Sequence, residues 1–133
     1  MVYLYRGKSM NLEEKLIKIN EQIDRILNED VEIKIVCIID NRILLHNGNM
    51  LLPKFTIKKG MLSDEEIINN VNELLNITIN KIDIIPFDKY KNYNERFFSI
   101  IVNENDLLNI NNLYSFNSIN EMNNIYERKV ISE

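Results

Sequence analysis

The chain has 133 residues, of which 45% are hydrophobic and 27% charged, the composition of an ordinary single globular domain. Its formal net charge is −4 and its Lys and Arg residues are scattered, which argues against nucleic acid as a partner. The sequence has neither an apolar run of the roughly 20 residues that span a bilayer nor the apolar centre of a signal peptide. The single cysteine, Cys37, leaves no disulfide framework, so we predict a cytoplasmic protein that does not bind membranes.

Residues 1–30 are predicted to form an N-terminal segment and helix, ahead of a main unit at 31–133 within one compact domain. Residues 1–9 resemble nothing downstream and form either a short strand or sequence upstream of an alternative start. From Asn11 the pattern becomes helical, because Asn11 and Glu14 have the spacing of a capping box. An apolar stripe at steps of four and three then predicts one helix of about 18 residues; its members are Leu12, Leu16, Ile19, Ile23 and Ile26. We expect this helix to pack against the domain, with a homodimer through residues 12–26 as the alternative.

The middle of the chain predicts strands joined by tight turns. Residues 31–39 alternate between polar and apolar and end in a continuous apolar run, which is typical of a strand buried on both faces at its far end. Asp40-Asn41 is a turn signal, and residues 43–46 return as a second strand. A further turn at 47–49 leads to a third strand at 50–52.

Ser63 begins the best-defined helix, predicted over 63–75. Ser63 and Glu66 form a capping box, and acidic residues in the first turn complement the positive end of the helix dipole. Its buried face is predicted to consist of Ile67, Ile68, Val71, Leu74 and Leu75.

The C-terminal half predicts strands at 77–85 and 95–102, a polar loop at 103–112, a short extended segment at 113–116, and a closing helix over 118–129. Strands interleaved with helices indicate an α/β fold. We expect a mixed sheet with the 63–75 helix on one side and the closing helix on the other.

The order of these elements and the segment from Leu51 to Ile77 resemble the Nudix family over roughly residues 31–129. The family's box reads Gly, five residues, Glu, seven residues, Arg-Glu, an aliphatic, any residue, Glu-Glu, any residue, Gly, an aliphatic. Aligned without a gap, the chain matches the box at Val71, Glu73 and Ile77. Pro53, Gly60 and the segment from Phe116 to Met122 are similar to further features of the family. The resemblance implies a Nudix-type α/β/α sandwich.

The resemblance also implies magnesium- or manganese-dependent cleavage of nucleoside diphosphate derivatives, but most box positions carry other residues. The family's metal-binding carboxylates fall on Asn70, Glu73 and Leu74, so a single carboxylate remains where a hard cation needs several oxygen ligands. Asn69 stands in place of the box Arg, and the paired glycines of the loop are Lys54-Phe55. We therefore interpret the box as degenerate, with Glu73 as a residual metal position, and expect no catalytic residue and no cofactor.

These observations lead to a Nudix-like module that binds a nucleotide-derived small molecule or a protein partner, in a regulatory role. The first alternative is an active hydrolase in which Mg or Mn is held by Glu73 with Glu66, Glu104, Asp106 or Glu121; the second is a purely structural or interaction domain. Basic and aromatic residues interleave from Lys89 to Arg96, a pattern that stacks bases and holds phosphates, or else belongs to a solvated loop. The candidate ligand contacts are His46, Lys54, Phe55, Glu66, Asn70, Tyr90 and Arg96.

Overall fold

The computed structural model describes residues 3–5, 8–85 and 94–132. Nine strands and four α-helices are assigned in this part of the chain. In chain order they are β1 (Tyr3–Tyr5), β2 (Lys8–Met10), α1 (Leu12–Asn28), β3 (Val31–Val36), β4 (Ile38–Ile39), β5 (Arg42–His46), β6 (Lys54–Ile57), α2 (Asp64–Leu75), β7 (Asp83–Ile84), β8 (Glu95–Ser99), α3 (Glu104–Leu107), β9 (Tyr114–Ser118), a 3-10 turn (Ile119–Glu121) and α4 (Ile125–Ser132).

The central sheet has four strands in the order β6-β3-β8-β7 and is mixed, as predicted. β3 pairs in parallel with β8, whereas β6 and β7 add antiparallel at the two edges. A parallel pair requires a long crossover, and α2 lies in that connection. A second, antiparallel sheet has the order β4-β5-β9, and β1 and β2 form a separate hairpin.

Because side chains alternate along a strand, the central sheet supports a separate apolar cluster on each face. On the α2 side, Ile33 and Ile35 of β3 pack with Ile67, Val71 and Leu75 in the larger core. The smaller core contains Val36, Ile43, Leu45, Leu52, Phe97 and Met122, with Ile131 of α4 packed against it. The mixed sheet between helical layers confirms the α/β prediction.

Side chains supply missing backbone partners at both ends of the α2 connection, asparagines at the end of the helix and Ser63 at its start. Asn72 accepts from the Ile79 amide at 2.8 Å and donates to the Ile79 carbonyl at 3.0 Å. Asn111 donates to the Leu74 carbonyl at 3.2 Å, and Asn76 ends α2 with a left-handed φ of 57°. At the other end Ser63 accepts from the Glu66 amide at 3.1 Å, as the capping-box spacing predicts.

Two predicted strands are wrong for local reasons. Residues 50–52 form no strand, because Met50 has a φ of 57° and the Leu51 amide donates to the Asn49 side chain; the strand is β6, which begins after Pro53. Of residues 77–85 only Asp83–Ile84 is a strand. The Ile79 backbone is bonded to Asn72 instead of to a neighbouring strand.

The C-terminal boundaries also differ from the predictions. The strand at 95–102 ends at Ser99, and the loop at 103–112 contains the one-turn helix α3. The closing helix at 118–129 is broken, because Ser118 starts only a 3-10 turn and α4 begins after Asn124, whose side chain accepts from the Glu127 amide at 3.0 Å.

The N-terminal helix forms as predicted, and the Glu14 amide donates to the Asn11 side chain at 2.8 Å. Its expected packing is wrong in the part whose side chains are described, because Leu12, Leu16 and Ile19 are exposed. The faces of the sheet are already occupied by α2 and α4, and residues 12–21 of α1, whose side chains are described, lie outside the apolar cores. Among the helices assigned above, not one combines the length and apolar character required to cross a membrane.

We predict that Asn72→Ala lowers the free energy of unfolding by about 1–3 kcal/mol, since it leaves two groups of the Ile79 backbone unsatisfied. Asn69→Ala on the exposed side of α2 is the control and should change stability by less than about 0.5 kcal/mol. Urea denaturation of the two variants measures the difference. Equal effects would show that the Asn72 side chain does not hold this connection.

Candidate functional site

A cleft of about 480 Å³ lies where the N-terminus of α2 faces the β7–β8 edge of the central sheet. Five of its nine lining residues are apolar. The lining consists of Leu62, Ser63, Asp64, Ile67, Ile82, Asp83, Ile84, Arg96 and Phe98.

The register of the sheet explains why these side chains meet. Ile84 pairs with Phe98, so both project from the same face. Arg96 lies two residues before Phe98 on β8 and shares that face. Ile67 extends from α2 toward the same space and belongs to the larger core. The cleft is therefore an extension of the larger core that opens to solvent.

Charged groups stand among the apolar residues of the cleft. The Arg96 guanidinium donates to the Glu95 carbonyl at 2.7 Å, which positions it along β8. Asp64 belongs to the first turn of α2, and the Asp83 carboxylate lies 3.9 Å from the Lys81 ammonium. A ligand in the cleft would meet an apolar floor, one guanidinium and two carboxylates.

The α2 positions that the sequence resemblance aligned with the box, Asn70, Glu73 and Leu74, lie in different surroundings. The Asn70 amide donates to the Glu66 carbonyl at 2.8 Å and to its carboxylate at 3.3 Å. Glu73 is exposed, and Leu74 packs against the larger core. Within residues 3–5, 8–85 and 94–132, no three His, Cys, Asp or Glu side chains are arranged to hold a metal ion.

The other predicted ligand contacts lie apart from the cleft. Lys54 is exposed on the edge strand β6, and Phe55 is partly buried against the larger core. His46 accepts from the Gly48 amide at 3.0 Å and lies edge-on to Tyr114, with ring centroids 5.3 Å apart.

Arg96 is thus the one predicted contact among the described residues that lines the cleft. Tyr90 lies outside the described residues. Of the acidic residues considered for a rearranged site, Asp106 accepts from the Thr78 amide at 3.1 Å and so supports the turn after α2.

A buried charge cluster on the opposite face of the sheet is absent from the sequence predictions. The Lys34 ammonium of β3 donates a hydrogen bond to Glu127 of α4 and lies 3.5 Å from both Glu32 and Glu95. It also lies 5.5 Å from the centroid of the Phe97 ring. Glu127 is only 3% exposed and is the one charged residue among the buried side chains described.

Burial, together with the neighbouring charges, sets the protonation behaviour of this cluster. Burial raises the pKa of Glu127, and the nearby Glu95 and Glu32 raise it further, which outweighs the opposite effect of Lys34. Burial alone would lower the pKa of Lys34, but the hydrogen bond to Glu127 and the surrounding carboxylates raise it overall. Lys34 therefore stays charged at neutral pH.

The sequence predicts only the part of this cluster that lies within β3. Alternation in β3 places Glu32 and Lys34 on one face, where polar residues usually meet solvent. Glu127 is 93 residues beyond Lys34 and lies in a helix that also carries other charged residues. Their contact depends on the docking of α4.

No model of a protein family matches the sequence, and no curated protein is significantly similar to it. A crystal structure from Chromobacterium violaceum, described as a "putative nudix hydrolase family member", has a similar fold with a TM-score of 0.56. The similarity covers 78% of this chain and 74% of that chain at 15% sequence identity. At this identity the similarity establishes the fold alone, so the predicted Nudix-like α/β fold is confirmed.

We predict that Lys34→Met lowers the free energy of unfolding by about 3–5 kcal/mol, because it leaves the buried Glu127 carboxylate without its cation. The double variant Lys34→Met/Glu127→Met should recover much of this loss, since it removes both buried charges. Lys81→Met breaks an exposed ion pair and should cost no more than about 1 kcal/mol. Urea denaturation compares the three; a double variant no more stable than Lys34→Met would contradict the ion-pair account.

The raised pKa of Glu127 predicts an unusual pH dependence. Because the folded protein binds this proton more tightly than the unfolded chain, the stabilising contribution is full below the ordinary value of 4.5 and is lost as pH rises through the raised folded value. The stability of the unsubstituted protein relative to Glu127→Gln should therefore increase on going from neutral pH toward pH 4.5. Thermal unfolding at matched pH values measures this difference. A relative stability that falls with acidification would show that the Lys34 hydrogen bond dominates.

Proposed function

We propose that this chain is a Nudix-like module that binds a nucleotide-derived small molecule in the cleft between α2 and β8 and does not catalyse metal-dependent hydrolysis. The observation that carries the proposal is the cleft itself, an apolar floor bordered by a few charged groups. Small-molecule sites are typically of this kind and of this size.

The lining favours a planar heteroaromatic group. Phe98 and Ile67 offer an apolar floor to one face of a ring, and a guanidinium such as that of Arg96 stacks favourably on aromatic systems. Asp64 and Asp83 would accept hydrogen bonds from N–H groups on the ring edge. A nucleobase combines these features, which supports a nucleotide-derived ligand.

The residues at the box positions support the absence of hydrolysis. A magnesium or manganese ion that acts on a diphosphate needs several oxygen ligands. The Asn70 side chain does not provide a carboxylate, and its amide group donates hydrogen bonds to Glu66. The alternative, an active hydrolase, is suggested by the description of the structural neighbour. It would require Glu73 to gather further carboxylates, and one of those considered, Asp106, already supports the Thr78 backbone.

A regulatory role fits a domain that binds without turnover. We also propose a cytoplasmic location, because a single cysteine gives the chain no disulfide framework. A ligand that binds only the folded state would stabilise the domain, so its binding can be detected as a rise in the melting temperature.

A thermal-shift panel tests the proposal. Nucleosides, nucleoside mono- to triphosphates, ADP-ribose, dinucleoside polyphosphates and NADH are added with and without Mg²⁺ or Mn²⁺. At 100 times its dissociation constant, a ligand adds about 2.7 kcal/mol of stability. We expect at least one compound to raise the melting temperature without requiring a metal ion. A panel that leaves the melting temperature unchanged would refute a nucleotide-derived ligand.

Substitutions locate the site and separate binding from catalysis. Ile84→Lys places a charged chain in the cleft and should abolish the shift. Leu108→Lys, at a position 92% exposed and outside the cleft lining, should preserve it. Glu73→Gln should leave binding unchanged. Metal-dependent release of phosphate or a nucleoside monophosphate that disappears in Glu73→Gln would instead establish the hydrolase.

A further inference from the structure

The apolar stripe of α1 has no cover within the described part of its length. Leu12, Leu16 and Ile19 are 61%, 50% and 49% exposed. They recur at steps of four and three and so share one face of the helix. A helix of 17 residues is only marginally stable alone in water, and most helices owe their stability to a packed apolar face. We therefore expect the stripe to pack against a partner surface.

The two sides of the stripe differ in charge. At 3.6 residues per turn, Glu13 and Asn20 lie along one side, whereas Lys15 lies along the other with Lys18 beyond it. Two copies of α1 in parallel place the Glu13 side of each helix against the Lys15 side of the other. An antiparallel pair would bring like sides together, the Lys15 side of one helix against the Lys15 side of the other.

We infer that α1 is a self-association element, which pairs in parallel with α1 of a second copy to form a two-fold homodimer. This inference is independent of the ligand-binding cleft, which lies between α2 and the sheet.

The small size of the contact favours a weak dimer. The helix is about 26 Å long at 1.5 Å per residue, shorter than the three to four heptads of a persistent coiled coil. Two such faces bury on the order of 1,000 Å² in total, the lower limit for a specific interface. The dimer should accordingly be a concentration-dependent one, in equilibrium with monomer.

Analytical ultracentrifugation from micromolar to millimolar protein tests the association. The mass of the unsubstituted protein should rise from 15.8 kDa toward twice that value. Leu16→Glu places a charge in the stripe and should keep the protein monomeric throughout. Ile17→Glu is the matched control, because Ile17 is 52% exposed on the same helix but lies about 100° away from Leu16, and it should dimerise normally. Far-ultraviolet circular dichroism and thermal unfolding establish that both variants fold.

Two results would overturn the inference: a monomer at every concentration, or equal loss of dimer in Leu16→Glu and Ile17→Glu.

The orientation is tested by Leu12→Cys under mild oxidation, since two residues at position 12 meet only in a parallel pair. We expect a covalent dimer in this variant. The unsubstituted protein should form none, because Cys37 is 1% exposed and burial raises the pKa of its thiol to about 11. A Leu12→Cys variant that dimerises but does not cross-link would overturn the parallel arrangement.

Discussion

The ammonium group of Lys34 imposes the main electrostatic constraint on this fold. β3 is an inner strand of the four-stranded sheet, and its Lys34 contacts carboxylates from β3 itself, from β8 and from α4. Taking such charges out of water is costly unless they are paired, so the arrangement of these three elements is linked through one residue. The Lys34–Glu127 contact holds α4 in position, because Glu127 is the one buried side chain among those described in α4.

The two faces of the central sheet are consequently held by different physical effects. On one face α2 contributes Ile67, Val71 and Leu75, a conventional apolar stripe reinforced by capping at both ends. On the other, α4 docks through an ion pair beside a smaller apolar core. Loss of apolar volume should therefore destabilise the α2 side most, whereas the α4 side should respond to changes in charge and pH.

The cleft and the residues Asn70 and Glu73 lie at different places along α2. The cleft lies at the N-terminus of α2, where the larger core opens to solvent, whereas the box positions Asn70 and Glu73 lie further along the same helix. Asn70 takes a local role there, through its hydrogen bonds to Glu66. A fold accommodates many functions, and the chemistry of the site distinguishes among them.

Elements with local causes could be predicted from the sequence alone. The helices at α1 and α2 follow from apolar periodicity and side-chain caps, and the Asp40-Asn41 hairpin follows from two residues that tolerate φ values of 52° and 62°. The partners of several backbone and charged groups, in contrast, depend on the folded arrangement of the chain. Asn72 takes the place of a strand neighbour beside Ile79, and Lys34 meets Glu127 across 93 residues. Neither contact follows from a sequence period. The Asn72–Ile79 contact depends on the path of the backbone after α2, seven residues on, and the Lys34–Glu127 contact depends on how α4 docks on the sheet.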